Sequence, residues 1–284
     1  METNRSQKGT QKGEVHRFGD GKLARREDYF AVEEPLEIAL RHGKVERREI
    51  SVVAVIMRSP GDDELLALGF CFSEQIIQSR KQVVSIKHFA DANRILLELR
   101  ADMAFDVHRF TRHVFSSSSC GICGKTSIDH IRTITPYPIL GALPEISVEE
   151  VISWPSLLTE QQAQFAQTGG MHACLLVNLV SGEVYLKEDV GRHNALDKLV
   201  GYALEHLSLP LHKCALMLSG RASFELVQKA AMVGIPVIAA IGAPSSLAID
   251  LAEDCSQTLI GFLRGKSFNI YSGSQRIKQL REKA

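Results

Sequence analysis

The sequence predicts an α/β protein: a layered α/β domain with a largely parallel sheet in the second half of the chain, preceded by a smaller α+β unit. Three observations predict it. From His172 onward, short apolar runs alternate with amphipathic segments, the way strands and their crossover helices read in sequence. Between Ile50 and Leu99, strand-like runs surround a single amphipathic stretch. Between these two parts lies a proline-rich connector, Thr135-Pro136-Tyr137-Pro138 followed by Pro144, which reads as a domain boundary. With 284 residues, 45% of them hydrophobic, the chain has material for one large core or two modest ones.

Residues 1–25 read as a disordered tail, polar and rich in Lys, Gly and Gln, with ordered chain expected from near Tyr29-Phe30. Ile50–Met57 is an apolar, β-branched run and reads as a buried strand. Ser59-Pro60-Gly61-Asp62-Asp63-Glu64 makes a turn and a helix start, and Leu65, Leu68, Phe72 and Ile76 recur at helical spacing, so 63–77 reads as a helix. Val83–Phe89 and Arg94–Leu99 are two further strands around a turn at Asp91-Ala92-Asn93. A small α+β domain is thus expected over 26–134, ending in a cysteine loop, and an α/β domain over 135–284.

In the second half, Ser147-Val148-Glu149-Glu150 forms a capping box, opening a helix that ends at Gly169-Gly170. His172–Val180 and Glu183–Asp189 form a hairpin around Ser181-Gly182. Helices over 194–207, 223–233 and 246–254 then alternate with strands over 214–218, 235–241 and 258–263, and Ser267–Tyr271 adds one more strand. Internal repeats and heptad runs are absent from the sequence.

Composition narrows the function. A formal net charge of zero gives no support for bulk electrostatic binding to nucleic acid or to a membrane surface. Met1–Lys22 has no apolar core of a signal peptide, and no run of about 18 apolar residues occurs. The six cysteines are therefore expected in a reducing cytoplasm, free of structural disulfides. Cys71, Cys214 and Cys255 sit among apolar or helix-forming residues and read as buried structural thiols, and Cys174 begins an apolar run.

The remaining pair stands apart. Cys120-Gly121-Ile122-Cys123-Gly124 follows four serines, Ser116–Ser119, and glycines around two thiols let the backbone turn tightly. A helix starting at Thr126 or Ser127, together with Lys125, would favour thiolate at Cys123. Such thiols can carry sulfur, exchange disulfides or bind a metal. The zinc reading is weak: a lone C-x-x-C is half the usual structural set. Zinc deaminases place Glu two residues after the ligand His, where this chain has Cys174 after His172. A zinc-free protein is expected. A thiol–disulfide oxidoreductase would need a βαβ setting that Cys120 lacks.

Three strand-to-helix loops of the second half carry dense polar groups: Glu188–Asn194, Ser219–Ser223 and Gly242–Ser246. In a parallel sheet they would share one edge, where helix N-termini suit phosphate, although each could simply turn the chain and cap its helix. His193, beside Arg192 and Asp189, reads either as an acid–base group or as part of a capping network. Arg264 and Lys266 flank Gly265 at a strand end, which suits an anion.

Taken together, Arg58–Phe70, Cys120–Gly124, Glu188–Lys198, Ser219-Gly220-Arg221, Phe262–Gly265 and Asn269-Ile270-Tyr271 resemble the FdhD family of formate dehydrogenase accessory sulfurtransferases, from about residue 28 to 272. The resemblance implies a cytidine-deaminase-like α/β sandwich with a smaller N-terminal α+β domain, usually homodimeric. It implies a sulfur carrier that takes sulfur from a cysteine desulfurase as a persulfide on Cys120, with Cys123 assisting relay or release. The acceptor would be the molybdenum cofactor in its bis(molybdopterin guanine dinucleotide) form, a bound substrate and not a permanent cofactor, destined for formate dehydrogenase. Its guanine nucleotide moieties would meet Phe262, Leu263, Arg264, Gly265, Lys266 and Ser267. The competing reading is a zinc- or nucleotide-binding maturation chaperone without sulfur transfer.

Overall fold

The computed structural model describes residues 9–103, 105–106, 135–141 and 144–278. Its first element corrects the expectation of a disordered tail. Strands β1 (Thr10–Gly19) and β2 (Lys22–Ala31) pair antiparallel over their whole length, Thr10 opposite Ala31 and Gly19 opposite Lys22. The Asp20-Gly21 turn between them has φ of 51° and 73°, the left-handed pair that a two-residue hairpin needs and that Asp-Gly supplies at low cost. The ribbon is polar because both faces meet solvent, and ion pairs Lys12–Glu27 (2.9 Å) and Arg25–Glu14 cross it. Its base is held by a Val32 N–H bond to the Gly9 carbonyl (2.9 Å).

Strands β3 (Glu34–His42), β4 (Glu49–Arg58), β5 (Val83–Phe89) and β6 (Arg94–Leu99) form a sheet in the order β4-β3-β6-β5, with β3 and β6 parallel and the other pairs antiparallel. β3 was not anticipated, although Leu36, Ile38 and Leu40 alternate and all three are fully buried. Helix α1 (Asp63–Ser73) covers the apolar face with Leu66, Leu68 and Phe72. It stops earlier than its periodicity suggests. Gln75 turns left-handed (φ 60°), and the N–H groups of Ile76 and Ile77 both reach back to the Cys71 carbonyl. Ile76 and Ile77 are still buried, so the apolar rhythm outlasts the helix.

The second half holds helix α2 (Val148–Gln161), capped by Ser147 and Glu150 as expected, and the short α3 (Ala163–Thr168). Then follow β7 (His172–Asn178), β8 (Val184–Asp189), α4 (Arg192–His206), β9 (Cys214–Leu218), α5 (Phe224–Met232), β10 (Val237–Ala240), α6 (Ser246–Asp254), β11 (Thr258–Arg264) and β12 (Ser267–Ser272). The sheet order is β12-β11-β10-β9-β7-β8. Only β9, β10 and β11 run parallel to their neighbours among themselves; β7, β8 and β12 join antiparallel, so the sheet is mixed and not largely parallel. The reason is the hairpins at both ends, which need no crossover helix.

Each face of this sheet has a core. Val151, Trp154 and Leu158 of α2 pack with Leu175, Met217 and Ile260 on one side. On the other, α4, α5 and α6 bury Leu196, Leu199, Val227 and Leu251 in a cluster that also contains Leu36, Leu66 and Phe72 of the first sheet. Continuity comes from α1 crossing α4 at backbone contact. A Cβ added to Gly69 would lie 1.9 Å from the Asp197 carbonyl oxygen, and one on Gly201 would lie 2.0 Å from that of Leu65. Only glycine at both positions permits this approach.

Candidate functional site

Because β9, β10 and β11 are parallel, their C-terminal ends share one edge of the sheet. β8 runs in the same sense, and β7 and β12 begin there, so His172, Asp189, Ser219, Ile241, Arg264 and Ser267 meet at that edge. The three polar loops thus converge as the strand–helix alternation suggested. Backbone bonds join the Ser219–Ser223 and Gly242–Ser246 loops to each other and to β11: Gly242 N–H to the Gly220 carbonyl (2.9 Å), Ser245 N–H to Ala222 (3.1 Å) and Phe262 N–H to Gly242 (3.1 Å). Ser219 Oγ accepts from the Ala173 N–H (2.8 Å), and Ser245 Oγ caps α6 by accepting from Ala248 N–H (3.3 Å).

Much of the Glu188–Lys198 segment holds the loops in place. Asp189 is fully buried, with the Lys198 ammonium 2.7 Å from Oδ2. Its other oxygen accepts from Gly191 N–H (2.9 Å) and Asn194 Nδ2 (3.0 Å). The network reaches into the first sheet: Ser59 N–H donates to Asp189 (3.2 Å), Lys198 donates to the Ser59 carbonyl (3.0 Å) and Asn194 to the Met57 carbonyl (2.8 Å). Next to it, buried Arg58 grips Asp63 with two bonds of 2.9 and 3.0 Å and also reaches Asn93 (3.0 Å). These anchors escaped sequence reading because their partners lie up to 139 residues apart. The density of polar residues in both segments was the signal.

His193 turns away from Asp189. Its Nε2 lies 2.8 Å from Glu225 Oε2 and 3.3 Å from Ser223 Oγ, both at the start of α5. Burial lowers the pKa of His172, the charges of Arg192 and His193 lower it further, and Asp189 partly opposes them. Cys174, two residues on, points into the core, its Sγ 3.9 Å from the Arg192 carbonyl, and burial raises its pKa strongly. Cys71 and Cys214 are buried as expected, and burial pushes the Cys214 thiol up to about 11. Cys255 is only half-buried, contrary to its reading as a core thiol.

The stretch Phe262–Ser267 closes the edge at the β11–β12 hairpin. The register shifts between Gly261 and Arg264, and Phe262 sits in the left-handed region at φ 53° with its side chain exposed. A bulky residue with that φ is strained, a condition that clusters at functional sites. Arg264 Nε donates to the Ile241 carbonyl (3.3 Å), and Ser267 Oγ donates back to the Arg264 carbonyl (3.3 Å). Ser116–Ser119, Cys120, Cys123, Lys125 and the helix start at Thr126 or Ser127 lie outside the described residues. Among the described residues, no group of three or more His, Cys, Asp and Glu side chains could hold a metal ion.

The structure is thus that of an α/β protein, with polar, glycine-bearing loops along one edge of a mixed sheet that buried charges pin to a second sheet. The chain belongs to the FdhD/NarQ family, whose profile matches residues 31–278. It is 43% identical to the sulfur carrier protein FdhD of Streptomyces coelicolor, over 94% of this chain and 95% of that one. It is 40% identical to the sulfur carrier protein FdhD of Saccharolobus solfataricus, over 92% and 95%. Its fold is similar to a crystal structure from Desulfotalea psychrophila, provisionally described as a formate dehydrogenase accessory protein. That match has a TM-score of 0.69 at 24% identity and covers 95% of this chain and 99% of the other.

Proposed function

We propose that this chain is a sulfur carrier in the maturation of formate dehydrogenase, and that Cys120 is its carrier thiol. One observation carries the reading: relatives that are sulfur carriers match it over more than nine-tenths of its length, and the span includes Cys120-Gly121-Ile122-Cys123-Gly124. The Cys120 thiolate attacks the terminal sulfur of a persulfide on a cysteine desulfurase. A new S–S bond forms on Cys120 while the donor's S–S bond breaks, and the donor cysteine leaves as thiolate, so no external oxidant is needed. Cys123, three residues on in the sequence, can attack the Cys120 sulfur of that persulfide, forming a Cys120–Cys123 disulfide and expelling hydrosulfide. Transfer to the acceptor must outrun this side reaction.

The acceptor is the molybdenum cofactor, bound as substrate through its guanine nucleotides. Phe262–Ser267 supports this reading, because two exposed cations, Arg264 and Lys266, stand at the end of the sheet edge. The finer description of the second half as a cytidine-deaminase-like sandwich, and the homodimer, belong to the same reading. No helix among the described residues is long and apolar enough to cross a membrane.

Intact-protein mass spectrometry after incubation with a desulfurase and cysteine tests the carrier. One added sulfur atom mapped to the Cys120 peptide, and absent in Cys120→Ala, is the expected result. An unmodified chain that carries bound zinc instead would replace this reading with the chaperone.

A further inference from the structure

The β1–β2 ribbon belongs to neither of the two larger sheets and contributes no side chain to either core. Its strands make it roughly 30 Å long. A two-stranded ribbon that is wet on both faces is marginal by itself in water, and it gains from any surface it can lie against. Its base has such a surface. β2 rests on α3, and a Cβ added to Gly170, just beyond that helix, would lie 3.2 Å from the Ala31 Cβ. α3 is tied in turn to the end of β8, where Glu188 accepts from the Gln164 N–H (3.0 Å) and the Phe165 N–H (2.9 Å). The ribbon therefore rises beside the β8 end of the loop edge.

Strand alternation sorts its side chains onto two faces. On one face the charges cancel, through the cross-strand pairs Lys12–Glu27 and Arg25–Glu14. Near the tip of that face Phe18 and Leu23 stand directly opposite each other, 73% and 67% exposed. On the other face Arg17, Lys22 and Arg26 are all exposed, their cross-strand neighbours being Ala24, Gly19 and Val15. None of these three cations pairs with an acid among the described residues, and the one acid of that face, Asp28, lies nearer the base. The distal half of the ribbon thus combines a bare cationic face with an aromatic–aliphatic pair in water. Arg and aromatic side chains are the groups that protein interfaces enrich.

Charge decides the occupant. Two like-charged faces do not stack about a two-fold axis, which disfavours a second copy of this chain. Three cations fall short of the clusters of about 4–8 that hold a protein on an anionic membrane. Zero net charge gives no bulk attraction to nucleic acid. An acidic protein surface with an apolar notch for the tip meets both features. We propose that the distal half of the ribbon is a docking arm, and that its occupant is an acidic surface on the formate dehydrogenase that receives the cofactor from the neighbouring edge. This rests on the sulfur-carrier reading, because the receiving enzyme must approach that edge to be loaded, and it adds the contact that brings the enzyme there.

Biolayer interferometry of the full chain on immobilised, cofactor-free formate dehydrogenase tests the arm. A cysteine desulfurase, single-stranded DNA and phosphatidylserine vesicles serve as the other targets. The variants are Arg17→Glu/Lys22→Glu/Arg26→Glu, the charge-keeping Arg17→Lys/Arg26→Lys, and Phe18→Ser/Leu23→Ser, each first checked for unchanged thermal unfolding. The charge reversal should slow association with formate dehydrogenase by about tenfold or more at low salt and flatten its salt dependence, while the lysine variant keeps both. Phe18→Ser/Leu23→Ser should instead speed dissociation. Sulfur loading of Cys120 by the desulfurase should be unchanged in all three. Unchanged formate dehydrogenase binding in the charge reversal overturns the arm. So does an equal loss against the desulfurase, the DNA or the vesicles, because the face would then serve another partner or any polyanion. A wild type that loads sulfur yet does not bind formate dehydrogenase overturns the arm and leaves the carrier standing. A wild type that loads no sulfur removes the carrier reading, and the arm falls with it.

Discussion

Asp189 shows what a single residue does here. It lies in a loop that the sequence offered as a ligand site, yet its carboxylate is sealed under Lys198, Asn194 and the Ser59 N–H. Removing one partner of a buried pair leaves the other charge uncompensated, which costs about 3–5 kcal/mol. Lys198→Met should therefore lower unfolding stability by about that much in urea, and Asp189→Leu/Lys198→Met should recover most of it because no lone charge remains. A double variant as unstable as the single one would show that the hydrogen bonds of Asp189 and Lys198 to Ser59, Gly191 and Asn194, and not charge pairing, dominate. His172 gives a second expectation at this scale. Its folded-state pKa is lowered, so the unfolded chain binds a proton more readily. Its contribution to stability is complete above the ordinary histidine pKa and declines as pH falls below it. His172→Gln should flatten that acid side of the stability–pH curve, read by thermal unfolding across the histidine range.

The elements were legible wherever their signals were local. Ser147 and Glu150 announced α2, and Ser181-Gly182 announced the β7–β8 hairpin, because cap and turn chemistry act over three or four residues. The β1–β2 ribbon carried an equally local signal in Asp20-Gly21, but its polar strands mimic the composition of a tail. The α1–α4 crossing had no local signal at all. Gly69 and Gly201 look like indifferent helix glycines until the two helices meet at backbone distance. Alanine there is the better helix former by up to about 1 kcal/mol, so an isolated helix would gain from Gly201→Ala. In the folded chain the new methyl collides with the Leu65 carbonyl, and overpacking of this kind costs about 1–3 kcal/mol or more. Chemical denaturation of Gly201→Ala should show a net loss. A neutral or stabilised variant would mean that α1 and α4 can slide apart without penalty.

On the scale of the whole molecule, a chain of zero net charge must concentrate its cations to meet a polyanionic ligand. Arg264 and Lys266 lie at one end of the edge made by β9, β10 and β11, and the buried acids Asp189 and Asp63 are paired with Lys198 and Arg58. The sequence singled out Arg264 and Lys266 as candidates, but it could not show that Arg58 and Lys198 are occupied inside. Arg58 and Lys198 are buried anchors, whereas Arg264 and Lys266 at the β11–β12 hairpin are exposed. A charge-assisted contact to phosphate contributes about 1.5–3 kcal/mol. Arg264→Ala should then weaken GDP binding by about one to two decades, since about 1.4 kcal/mol is tenfold. The wild-type affinity should also fall as salt is raised, because the contact is exposed and screened, and the fall should be shallower in the variant. Cys120→Ala should bind GDP as the wild type does while losing the power to activate formate dehydrogenase, which separates holding the acceptor from carrying the sulfur. Titration of both variants at two salt concentrations tests these expectations together: equal GDP affinity in wild type and Arg264→Ala would remove Phe262–Ser267 from the ligand site, whatever Cys120 does.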